Sequence, residues 1–256
     1  MSARSAPMPP RRKVQLAAAL ALPLLALLAW FGAIPGGWTL RGWIEPHADR
    51  RAREQAEYSA GRMAGFQAEN ERAAPGAVVF LGSSTMERFP LSEAFPGRPC
   101  LDRGIGDETA TELLARLDAS LPDARPAGVV LYAASVDFRR EGRPPEVIEA
   151  RVLALVRRLR ARLPGIPIAL IGLLSERDAP AELVARLRRT NARLAELART
   201  SGLAFVATDR PPLTLPSGAL SEAYSADRLH LSEAGYRHLA RWLLEDGGDV
   251  APLLAP

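Results

Sequence analysis

One cysteine, one lysine and three histidines are all that this 256-residue chain has of those residue types. With Cys100 alone, no internal disulfide framework can form and no cysteine-built metal site can be assembled. Lysine is nearly absent too, Lys13 being the only one, so the formal charge of +4 is carried by arginine. Those arginines are interleaved with acids rather than gathered into a stripe. They read as a solvated surface, not as the electrostatic footprint of a nucleic-acid partner. The chain also shows no internal repeat and no low-complexity tract beyond a short proline-containing end, "APLLAP".

Charge is missing altogether from residues 14–34. About twenty apolar residues at a rise of ~1.5 Å each cross a hydrocarbon core of roughly 30 Å, so this run is expected to be a transmembrane signal-anchor. Arg4, Arg11, Arg12 and Lys13 precede it and should stay cytoplasmic, exporting everything that follows, to the periplasm in a Gram-negative cell. Trp30, Phe31, Trp38 and Trp43 cluster at its far end, where amphipathic rings favour the lipid–water boundary. A cleaved signal peptide is the alternative, which would leave a secreted protein, but Phe31 in "FGA" spoils the small-x-small site such cleavage needs. The expected organisation is a basic N-terminus (1–13), the anchor (14–34), a charged, alanine-rich helical spacer (35–75), one globular domain (76–248) and a tail (249–256). His47 falls in the spacer and reads as a surface residue.

Beyond residue 75, β-rich apolar runs at 77–82, 98–104, 128–135, 166–174 and 203–209 alternate with helical patterns at 109–121, 145–163, 179–200 and 232–245. Near-continuous apolar strands separated by amphipathic helices predict an α/β domain, a parallel sheet of about five strands covered on both faces. Ligands on such sheets bind at the carboxyl ends of the strands. The unusual residues lie there: "GSST" (82–85) after the first strand, "DRGIGDET" (102–109) after the second, "AASVDF" (133–138) after the third, and "YSADRLHLSEAGY" (224–236) before the last helix. Asp227 and His230 stand three apart, close enough on a turn for the carboxylate to receive an imidazole N–H, and a histidine so held can act as general base for a serine hydroxyl.

Taken in order, these four segments resemble the blocks of the GDSL/SGNH hydrolase family over about residues 77–244. The resemblance implies a three-layer, flavodoxin-like fold and an esterase without metal or organic cofactor. It places the nucleophile at Ser84, with Ser83 where the family often has aspartate, and completes a triad with His230 and Asp227. It implies an oxyanion hole made by the backbone N–H groups of Ser84 and of the second block, at Gly106 and Asp107, with a side-chain amide from the third. His238 is read as a surface or helix-packing residue.

Three positions, in two of the blocks, depart from the family pattern. Asp107 stands where the second block has glycine, which keeps the N–H but brings a carboxylate near a developing oxyanion. Val136 stands where the third block has its asparagine donor, and Ala134 where it has glycine. Loss of one such donor typically costs about 10²–10³ in turnover. The expectation is therefore a slow, membrane-anchored ester hydrolase acting on a small-molecule, glycan or lipid acyl ester. An acyltransferase using the same residues, or an impaired family member that binds an acylated envelope partner, are the alternatives.

Overall fold

The structure is a computed structural model, and it describes residues 21, 23–25, 27–28 and 47–255. The apolar run 14–34 therefore lies almost wholly outside the described residues. No helix among the described residues is long and apolar enough to cross a membrane. The first described helix, α1 (His47–Asn70), spans the boundary between two compact units, residues 1–58 and 59–256. In the first unit its exposed face carries an i,i+4 ion pair, Arg53–Glu57 at 3.1 Å.

The second unit is built on five parallel strands, β1 (Val78–Gly82), β2 (Cys100–Gly104), β3 (Gly128–Tyr132), β4 (Ile168–Ile171) and β5 (Ala204–Val206), in the order β2-β1-β3-β4-β5. All pairings are parallel, and Gly82 lies in register with both Gly104 and Tyr132. The expected α/β class and strand number are thus met. β3, β4 and β5 end earlier than the apolar runs suggest: β3 stops at Tyr132, because the chain turns at Ala134 (φ 70°) into the short helix that follows. β1 and β3 are buried along their whole length, which is why they read as continuous apolar runs rather than alternating ones.

Seven helices of the second unit follow from local signals or fill the turns between strands. Short helices α2 (Ser84–Glu87) and α3 (Leu91–Ala94) connect β1 to β2. α4 (Ala110–Ser120) starts with a capping box, Thr109 accepting from the Glu112 N–H while the Glu112 carboxylate accepts from the Thr109 N–H. After the one-and-a-half-turn α5 (Ser135–Arg139), α6 (Pro145–Arg162) begins on a proline at N1 and buries Ile148, Val152, Leu155, Val156 and Leu159 at three- and four-residue spacing. α7 (Ala181–Thr200) packs beside α6, and α6 beside α4. α8 (Glu233–Asp246) is capped by Ser232, whose hydroxyl accepts from the Gly235 N–H.

Two expectations about the ends are corrected. The spacer is not separate from the domain: residues 59–70 of α1 belong to its unit, Phe66 is buried, and the guanidiniums of Arg62, Arg103 and Arg116 stand over its ring at 4.9, 4.8 and 5.7 Å. The charges that suggested a solvated helix are paired with β2 instead, Arg62 with Asp102 at 2.7 Å and Glu69 with Arg103 at 2.6 Å. The residues assigned to a tail also pack on the domain. Residues 248–250 form a 3₁₀ turn and α9 (Ala251–Leu254) follows, burying Val250 and Leu254 in the core.

Candidate active site

The strand order reverses at β1, so the crevice between the carboxyl ends of β1 and β3 is where an open sheet of this kind takes a ligand. Ser84 is the first residue of α2, immediately beyond β1 and half-buried. Being first in a helix, its N–H has no intrahelical acceptor. The preceding turn is held by Ser83, buried, whose hydroxyl shares a 2.9 Å hydrogen bond with that of Ser135 at the start of α5. Two glycines let these pieces approach: a Cβ on Gly104 would sit 2.1 Å from the Glu87 nitrogen, and one on Gly235 would sit 2.4 Å from the Tyr224 carbonyl.

Residues 224–232 fold back on themselves through Ala226 N–H to His230 O at 2.8 Å and Ser232 N–H to Tyr224 O at 2.9 Å. Within that loop, Asp227 Oδ1 accepts from the N–H groups of Leu229 and His230 at 2.7 and 2.8 Å, while Oδ2 lies 2.8 Å from His230 Nδ1. The other ring nitrogen, Nε2, is 3.1 Å from Ser84 Oγ. Nδ1 faces an acceptor-only carboxylate and so carries the proton, leaving Nε2 to accept from the serine. Burial pushes the Asp227 carboxyl upward, but the Leu229 N–H and the histidine outweigh it and hold the group well below the usual carboxylate range. Arg88 adds a cation 3.6 Å from Asp227 Oδ2. The loop is tied to the Ser84 turn by Tyr236 of α8, whose hydroxyl donates to Thr85 O at 2.9 Å; burial raises that phenol well above its ordinary value.

On the opposite side, Asp107 adopts φ 63°, the left-handed conformation in which glycine is strain-free and aspartate is tolerated. Its carboxylate is ion-paired with Arg140, both side chains about half exposed, so its charge is met by a cation. Gly106 does not offer a free N–H: it donates to Glu87 Oε2 at 2.7 Å. Among the described residues of this loop, Gly104 N–H goes to Asp102 Oδ1 (2.7 Å) and Ile105 N–H to Gly82 O (3.1 Å), which leaves Asp107 N–H without a protein acceptor. Val136 sits half-buried in the first turn of α5 and presents only methyl groups. Ser135 is committed to Ser83 and does not replace the missing amide.

The structure therefore brings together Ser84, His230 and Asp227, and sets Asp107 and Val136 in the neighbouring turns. It assigns Gly106 a different task from the one expected. His238 stacks edge-on against Tyr224, ring centroids 4.9 Å apart, away from the relay. Sequence reasoning passed over Glu87, although its place three residues after Ser84 puts it one turn along the same short helix. It also passed over Asp137, fully buried, which accepts from the Ala110 N–H at 2.8 Å and pairs with Arg151, joining the second- and third-block loops. An open cavity of about 530 Å³, lined by Arg177, Leu215, Leu220 and Glu222 among others, adjoins the histidine loop through Arg177 N–H to Arg228 O at 2.8 Å. Among the described residues no group of three or more His, Cys, Asp or Glu is arranged to hold a metal ion.

A model of the GDSL-like Lipase/Acylhydrolase family matches residues 63–238. Among solved structures, a Streptococcus pneumonia protein provisionally described as a platelet activating factor is 23% identical, with a TM-score of 0.70 over 77% of this chain and 96% of that one. A GDSL-like lipase from Bacteroides thetaiotaomicron is 20% identical, TM-score 0.63, over 72% of this chain and 95% of the other. An acetyl xylan esterase is 18% identical, TM-score 0.56, over 66% and 98%. At these identities the likeness is one of fold. A comparison with curated proteins finds no match.

Proposed function

We propose, from the premise that this chain belongs to the GDSL-like lipase/acylhydrolase family, that it is a serine ester hydrolase cleaving short-chain acyl esters of a carbohydrate or lipid alcohol. The observation that carries the reading is the continuous relay Asp227 Oδ2–His230 Nδ1 at 2.8 Å and His230 Nε2–Ser84 Oγ at 3.1 Å. Ser84 Oγ attacks the ester carbonyl as its proton passes to His230 Nε2, and Asp227 stabilises the imidazolium that forms. The negative charge on the carbonyl oxygen is met by the N–H groups of Ser84 and Asp107. Collapse returns the proton from His230 to the departing alcohol, leaving an acyl-serine. Water, deprotonated by the same imidazole, then releases the acid and restores Ser84. No metal or organic cofactor enters these steps.

Hydrolysis of p-nitrophenyl acetate by the purified chain tests the reading. Ser84→Ala should abolish it, and Ser83→Ala, whose hydroxyl only braces the turn, should retain a measurable fraction. Turnover that survives in Ser84→Ala removes the proposed nucleophile. Val136 favours a second reading, an impaired member that binds an acylated envelope partner; it takes over if the wild-type chain neither hydrolyses the ester nor transfers the acyl group to an added sugar hydroxyl.

The segment 14–34 is proposed as an uncleaved anchor holding the enzyme outside the cytoplasm. Its basis is the uncharged run with basic residues before it. An export reporter fused after Trp43 should be active and remain with membranes, whereas a shortened, soluble product would point to cleavage.

A further inference from the structure

We propose that Glu87 and Arg62 are positioning residues of the oxyanion loop, which makes the helix ahead of the sheet a working part of the active site. The proposal rests on the ester-hydrolase reading. Glu87 reaches from the nucleophile's own helix to the second-block loop and takes the Gly106 N–H at 2.7 Å. A Cβ on Gly106 would lie 2.9 Å from that carboxylate oxygen and 3.7 Å from Ser84 Cβ, so the captured peptide abuts the nucleophile. Arg62 of α1 closes the clamp from outside. Its Nη2 donates to Gly104 O at 2.8 Å and to Asp102 Oδ2 at 2.7 Å, and its Nε stands 3.5 Å from Glu87 Oε1.

The clamp fixes each residue before Asp107 in turn: Gly104 through Arg62 and Asp102, Ile105 through Gly82 O, and Gly106 through Glu87. Arg140 holds Asp107 from the far side, its Nη2 3.3 Å from the Asp107 carbonyl oxygen. With the preceding peptides tied, the Asp107 N–H has no protein acceptor of its own, and its backbone is held by its neighbours on both sides. In a site with valine at position 136, that orientation matters more, because no side-chain amide shares the charge. Glu87 sits at a specific bond length from one N–H; a residue merely filling space would not need a carboxylate there.

The test compares Glu87→Ala, Glu87→Gln, Arg62→Ala and Arg62→Lys with Glu69→Ala, which breaks the same helix's ion pair with Arg103 but leaves Glu87 and the Gly106 N–H bonded. Glu87→Ala and Arg62→Ala should lower kcat for p-nitrophenyl acetate about 10- to 100-fold, with KM within about threefold. Glu87→Gln, which keeps an oxygen acceptor for the Gly106 N–H, should restore most of kcat, and Arg62→Lys part of it. Glu69→Ala should lose thermal stability while kcat stays within about twofold. If kcat instead follows thermal stability across the set, or Glu87→Ala turns over like wild type, the proposal is overturned. Amide hydrogen exchange of the peptide spanning residues 104–109 reads the clamp without turnover. Faster exchange in Glu87→Ala than in wild type supports it even if the ester reading fails, and unchanged exchange defeats it even if that reading stands.

Discussion

On one side of the crevice, residues 224–232 present a carboxylate and an imidazole whose identities cannot be altered without breaking a proton path; on the other, residues 104–109 and 134–137 present backbone. From the first side, Asp227 and His230 form a line of 2.8 and 3.1 Å contacts that ends on Ser84. The second carries Asp107, Ala134 and Val136, the residues expected to depart from the family pattern, and there Asp107 adopts φ 63° and Ala134 φ 70°. A main-chain N–H survives a change of side chain as long as the backbone conformation does. A side-chain amide does not survive replacement by valine. The difference separates what the site needs as atoms from what it needs as a path of the chain.

The largest effect expected from breaking the first side is that of Ser84→Ala, which should lower kcat by about 10⁶. Asp227→Asn should cost about 10⁴, because the wrong imidazole tautomer then faces Ser84. The Asp227 carboxyl lies below the usual carboxylate range, so it stays ionised through mildly acidic conditions. Its contribution to stability is complete above the unfolded value near ~3.9 and fades only as pH falls through the lower folded value, and about half exposure keeps it small. Titration of Asp227 itself should therefore add no inflection to the wild-type kcat/KM profile between neutral and mildly acidic pH.

Sharpening the second side is the next test in size. Val136→Asn should raise kcat by up to about 10² if the absent amide limits the rate; an unchanged rate would mean that another group already serves the oxyanion. Tyr236→Phe removes the brace between α8 and Thr85 O and should cost about 1–3 kcal/mol in denaturant unfolding. The phenol is raised in the fold, so wild-type stability is lost as pH climbs through that raised value, and the variant should lack this alkaline loss. Asp107→Gly should change kcat least, by about threefold or less, since it restores an unstrained left-handed residue and leaves the N–H in place.

The middle of the sheet was legible because β1, β3 and β4 are buried along their whole length and show as unbroken apolar runs, and the three relay residues were legible because the spacing Asp-x-x-His is local and the family resemblance picks out Ser84 after the first strand. What escaped was long-range. Arg62 meets Gly104 from 42 positions away and Glu87 meets Gly106 from 19, and nothing in "GRMAGF" or "STMERF" announces those contacts. Charged residues that look solvated along a helix are paired when a strand edge carries the opposite charge, as Asp102 does for Arg62. The final residues escaped for a related reason: an apolar pair as short as Val250 and Leu254 has no periodicity, and only the sheet beside it gives it a seat.

Reaction of the purified chain with a fluorophosphonate, followed by peptide mapping, tests the central claim most directly. The account predicts a single adduct on the peptide bearing Ser84, absent from Ser84→Ala and strongly slowed in His230→Ala. An adduct on a different residue, or labelling that persists undiminished in Ser84→Ala, would contradict it.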